Sequence, residues 1–151
     1  MIIIKDENIL KATEDITCHQ TNTLGVMGGG IAKQIKEKYP EVYKAYKELC
    51  LSHNSKDLLG AVQYVECHDG YIIANLFGQE GFGRNKQYTD YNALRNALKI
   101  VYKRVKQYQE SVAIPVNLGC GLAGGSWDIV YNMIEEVFHD YNVTLYRWEV
   151  K

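Results

Sequence analysis

Apolar residues fill the opening MIIIK and give way to the turn-like DEN, which predicts a strand and its end. Residues 15–19 form a second expected strand, with Ile16 and Cys18 on one side. From Gly30 the period lengthens. Ile31, Ile35 and Tyr39 recur at i, i+4 and i+8, the stripe of a surface helix. Pro40 interrupts it, and a second helix restarts over EVYKAYKELC with Pro40 at or near its first turn. AVQYVEC and YIIANLF read as strands separated by the turn residues HDG. Residues 78–88, GQEGFGRNKQY, read as a long polar loop spaced by glycines. Thr89 is the expected cap of a helix with the apolar face Tyr91, Leu94, Leu98, Val101 and Val105. SVAIPVN is a β-branched strand, GCGLAGG follows, Ser126 caps the helix WDIVYNMIEEVFHD, and VTLYRWEV closes as a strand.

Strands and helices thus interleave from end to end, which predicts a three-layer α/β/α fold with a central mixed sheet. With no repeat or linker in 151 residues, a single domain over residues 1–151 is expected. The net charge of −1 lacks the basic excess of a nucleic-acid binder. A small anion remains open, because backbone amides can hold phosphate without a basic surface. No apolar run approaches the ~18 residues of a membrane span, and the N-terminus turns acidic too soon for a signal peptide. Cys18, Cys50, Cys67 and Cys120 show no CxxC pairing, so they read as reduced intracellular thiols, and a cytoplasmic location is expected. The four histidines are equally scattered, so neither a metal site nor a cofactor is expected.

Two glycine loops, 25–30 and 119–125, each fall where a strand hands over to a helix. That edge is where α/β sheets bind ligands, although tight turns also use glycines. The first loop is no Walker motif, since Ile31 and Ala32 stand where Lys and Ser/Thr belong, and it lacks the dinucleotide spacing. Asn22 before it suits a ribose hydroxyl or a turn cap. His19 reads either as a general acid or base or as a packed histidine. Cys120 invites a thiolate nucleophile, but no neighbour in sequence supplies its base.

Taken together, ENIL, N(x5)GGGIA, DYNAL, NLGCGL, WDIVYNMIEEVF and the closing LY resemble the macrodomain family of ADP-ribose-binding α/β modules. The likeness covers nearly the whole chain. It is nearest the branch of terminal ADP-ribose protein glycohydrolase, the antitoxin that strips ADP-ribose from DNA, and the ADP-ribose-1''-phosphate phosphatase. The resemblance implies that Asn22 and Gly28, Gly29, Gly30 and Ile31 surround the distal ribose and its phosphate. It implies that Gly119, Cys120, Gly121, Leu122 and Ala123 serve the diphosphate, and that Tyr146 lies near the adenine. Asn8, followed by Ile9, replaces the family's adenine-selecting Asp. Two departures bear on catalysis: Gln79 stands where the glycohydrolases carry a catalytic Lys, and Ala123 where one of them carries an Asp. A lysine-linked intermediate cannot form at Gln79, because an amide is not a nucleophile. The implied function is ADP-ribose binding with hydrolysis at the distal ribose, of the 1''-phosphate or an ester, with His19 ordering a water. The alternative is a non-catalytic reader of ADP-ribose. An ADP-ribosylated protein is a further implied partner.

Overall fold

The computed structural model describes residues 1–83 and 85–148. Its sheet runs β1 (Ile2–Lys5), β6 (Val143–Tyr146), β5 (Val112–Pro115), β2 (Ile16–Asn22), β4 (Ile72–Gln79) and β3 (Val62–Glu66). Every neighbouring pair is parallel except β3 and β4, so the sheet is mixed. The one antiparallel pair is a hairpin. Its turn closes through Gly70 N–H to the Cys67 carbonyl at 2.9 Å, with Gly70 at φ 89°.

Helices α1 (Gly30–Lys38), α2 (Pro40–Ser52), α3 (Ser55–Leu58), α4 (Tyr91–Tyr108) and α5 (Trp127–Val137) cover the two faces. Alternation along β2 separates the layers. Ile16 and Cys18 join Ala74 and Leu76 of β4, Val112 and Ile114 of β5, and the buried stripes of α4 and α5 in one core. The opposite face, with Ile73 and Phe77 of β4, packs against Ile35 of α1 and Val42 and Tyr46 of α2. Leu94, Leu98, Val101 and Val105 hold α4 down, each burial stabilising by about 1.5–3 kcal/mol. The central strand β2 also carries polar residues, Thr17, His19, Thr21 and Asn22, that are buried. This polar half of β2 builds the site.

Several boundaries differ from the sequence expectation. β2 runs on to Asn22, because β4 pairs with it along its whole length, with a register shift between Thr21 and Asn22. The cap of α4 is Asp90, whose carboxylate accepts from Ala93 N–H at 3.0 Å; Thr89 points elsewhere. Ser126 holds the cap position of α5 without a side-chain bond, and that helix ends at Val137. The short α3 and a 3-10 turn at Ile9–Lys11 add to the elements that the pattern predicts. The final strand, expected through residue 150, spans Val143–Tyr146, and residues 149 and 150 lie outside the described residues.

Candidate functional site

The C-terminal ends of β2 and β5 lie side by side, and the two glycine loops rise from them around a cleft of about 540 Å³. Asn22 shapes the first loop. Its side-chain oxygen accepts from Leu24 N–H at 2.9 Å and from the Tyr46 hydroxyl at 2.7 Å, while its NH2 donates to the Val26 carbonyl at 2.8 Å. The loop delivers Gly29 in extended backbone to the start of α1, with no side chain capping the helix. The first intrahelical donor is Lys33 N–H, bonded to the Gly29 carbonyl. The amides of Gly30, Ile31 and Ala32 therefore have no partner among the described residues, and all three residues line the cleft.

The second loop folds on itself. Cys120 N–H bonds the Asn117 carbonyl at 2.8 Å, and Gly125 N–H bonds the Gly119 carbonyl at 3.0 Å. A Cβ at Gly125 would sit 2.6 Å from that carbonyl oxygen, so only glycine permits the closure. The amides of Gly121, Leu122 and Ala123 are left without partners among the described residues, again on the cleft lining. Leu122 leans across to the first loop, its Cδ1 3.1 Å from where a Gly29 Cβ would be. Cys120 turns its thiol to the Leu118 carbonyl at 3.2 Å and packs on the α4/α5 core. Burial raises its pKa to about 11, so it carries no thiolate.

His19 lies under the first loop, 2% exposed. Its Nε2 donates to the Asn75 side-chain oxygen at 2.5 Å, Asn75 NH2 donates to Gln63 at 3.0 Å, and Gln63 NH2 donates to the Ala45 carbonyl at 3.1 Å. Nδ1 of His19 is buried and has no partner among the described residues. Burial lowers the His19 pKa to about 4 against a weaker opposing effect of Asn75, so the ring is neutral at physiological pH.

Gln79 is a tie rather than a reactive group. Its oxygen accepts from Gln20 NH2 at 2.8 Å, and its own NH2 donates to the Gly81 carbonyl at 2.8 Å. Gln20 also donates to the Thr89 hydroxyl at 2.9 Å, which donates onward to the Gly119 carbonyl at 2.6 Å. The Ala123 carbonyl accepts the amides of Tyr88 and Thr89. Together these bonds join the 78–88 loop to the second glycine loop. Within that loop, in which residue 84 lies outside the described residues, the Tyr88 ring fills the space where Cβ atoms at Gly81 and Gly83 would stand. Phe82 at the tip lines the cleft and is half exposed.

The cleft thus gathers His19, Asn22, Gly28 to Ile31, Gln79, Gly119, Gly121, Leu122 and Ala123. Asn8, Ile9, Cys120 and Tyr146 are not among its lining residues. Ile9 and Tyr146 pack with Ala12 and Ala113 in an adjoining cluster that meets the cleft through Ile31. Asn8 spends its side-chain oxygen on Leu10 N–H at 3.0 Å, and the Tyr146 hydroxyl donates to Glu14. Gln20, Gln63 and Asn75 have no site role in the sequence pattern, and Thr89 has only that of a helix cap. Asn75 carried a signal, as a lone amide inside the apolar run YIIANLF. No Lys or Arg lines the cleft among the described residues. Nor, among them, does any group of three or more His, Cys, Asp or Glu stand where it could hold a metal ion.

A mixed α/β sheet with an amide-rimmed cleft at the ends of its parallel strands has the geometry in which backbone amides can hold an anion. The macro domain family model matches residues 18–134, and the chain belongs to that family. It is 30% identical over 126 residues to a DNA ADP-ribosyl transferase–DNA ADP-ribosyl glycohydrolase fusion protein of Thermosipho africanus, a match covering 72% of this chain and 31% of that protein. The chain therefore spans about a third of that relative's length. It is 27% identical to an ADP-ribose 1''-phosphate phosphatase of Candida albicans, across 80% of each chain. Among solved structures, the macrodomain of Mycobacterium tuberculosis DarG superposes with a TM-score of 0.82 at 26% identity, covering 97% of both chains.

Proposed function

We propose that the cleft binds ADP-ribose or a derivative of it, and that the protein hydrolyses a bond at the distal ribose, the 1''-phosphate monoester first among them. One observation carries the reading: unpartnered amides from Gly30–Ala32 and Gly121–Ala123 converge on a cleft with no described Lys or Arg in its lining. Two rows of amides match a diphosphate, and the uncapped start of α1 favours the negative charge. The relatives named as ADP-ribose 1''-phosphate phosphatase and as DNA ADP-ribosyl glycohydrolase support the substrate class. Asn8, Ile9 and Tyr146, beside Ile31, take the adenine end in this reading.

In the hydrolytic step a water oxygen bonds to phosphorus and the bond from phosphorus to the C1'' oxygen breaks. That oxygen keeps the electron pair and takes a proton, releasing ADP-ribose and inorganic phosphate. The amides stabilise the charge that develops, and the ligand's own phosphate orders the water. A second reading, a reader that binds without cutting, is favoured by Gln79, whose amide is tied at both ends where the glycohydrolases carry a Lys. One experiment separates them: incubation with ADP-ribose-1''-phosphate and with a glutamyl-ADP-ribosylated protein, alongside calorimetric titration of ADP-ribose. Release of phosphate or ADP-ribose is the expected result. Binding without release establishes the reader, and absence of both removes the proposal.

A further inference from the structure

The far end of one hydrogen-bond chain, part-buried at Gln63 and buried at His19, dictates the proton positions along it. The Ala45 carbonyl on α2 can only accept, so Gln63 turns its NH2 toward it. The Gln63 oxygen then faces Asn75 and accepts from its NH2, which leaves the Asn75 oxygen to accept from His19 Nε2–H. No link can be reversed without setting two donors or two acceptors against each other. His19 is therefore held as the Nε2–H tautomer, with a bare lone pair on Nδ1. That atom is buried without a partner among the described residues, in a side chain on the cleft lining. A buried acceptor with no donor is costly, and a ligand that brings a hydroxyl would satisfy it.

We propose that His19 is a hydrogen-bond acceptor for a ligand hydroxyl, not a proton donor, and that Asn75 and Gln63 are the positioning residues that keep it so. The ligand half rests on the proposed function: in an ADP-ribose derivative the donor is a ribose hydroxyl. The surroundings do not compete for the role. Cys18 on β2 and Tyr46 on α2 are kept neutral by burial. Lys33, Lys36, Glu37 and Lys38 of α1 and Lys44, Lys47 and Glu48 of α2 are exposed, and no described residue lining the cleft is charged.

Nitrogen-15 NMR of the histidine rings, with and without ADP-ribose and alongside calorimetry, is the test. In the wild type, His19 should show a bare Nδ1 and a protonated Nε2 at neutral pH, and the Nδ1 resonance should move when ADP-ribose is added. Asn75→Asp sets a carboxylate against Nε2–H, so His19 gains a proton near neutrality. Affinity for ADP-ribose then falls about tenfold and recovers at high pH, which the loss of a merely structural contact would not do. If Asn75→Asp does not fold, Gln63→Leu frees the Asn75 amide to rotate, and the Nδ1–H tautomer should appear. A protonated Nδ1 in the wild type overturns the inference. So does ADP-ribose binding that leaves Nδ1 unmoved, a result that leaves the proposed function standing. Absence of ADP-ribose binding overturns the proposed function and the ligand half together, and the spectrum of the free protein tells the two failures apart.

Discussion

Replacing water by protein around His19 disfavours its charged form and lowers its pKa from 6.5 to about 4. Between those values the unfolded chain binds a proton that the folded chain does not. Stability therefore rises with pH through the window and falls as acid is added, by at most about 1.4 kcal/mol per pH unit. Denaturant unfolding of the wild type and of His19→Gln near pH 7 and near pH 4.5 should show the larger acid loss in the wild type. Equal losses would mean that His19 is not buried neutral. The sequence left Asn22 between turn cap and ribose ligand, and its amide oxygen proves to be taken by Leu24 N–H and the Tyr46 hydroxyl. A free proton on its NH2 is what remains for a ligand, since the Val26 carbonyl takes the other.

Among the elements, periodicity made α4 legible from Tyr91 to Val105 but set its cap at Thr89, one residue before the Asp90 that fills it. Both are cap formers. Tertiary contact decides, because the Gly119 carbonyl lies within reach of the Thr89 hydroxyl and leaves Asp90 to bond Ala93 N–H. Asp90→Ala should cost about 1 kcal/mol of unfolding free energy, measured in denaturant. A loss no larger than that of a surface substitution would refute the assignment. The short α3 and the 3-10 turn at Ile9–Lys11 were illegible for a simpler reason: three or four residues hold about one turn, too little for an apolar pattern to repeat.

For the molecule as a whole, the two glycine loops and the alternation of strands and helices could be read from the chain. Strand order could not. The loops form one cleft because β5 is the parallel neighbour of β2, and the His19–Asn75–Gln63 chain exists because β4 lies on the other side of β2 with His19 opposite Asn75. No local pattern encodes that register. Among the described residues no helix is long and apolar enough to cross a membrane. The central claim is that backbone amides of the two loops hold an ADP-ribose diphosphate, and Gly121 tests it cleanly. A Cβ there meets no atom within 4 Å and the Gly121 φ lies outside the left-handed region, so the backbone accepts a side chain while the cleft loses room. Calorimetric titration of ADP-ribose into the wild type and Gly121→Val is the deciding measurement. The account predicts binding by the wild type and at least about tenfold weaker binding by the variant, at an unchanged melting temperature. No heat from the wild type, or equal affinity in the two proteins, would contradict it.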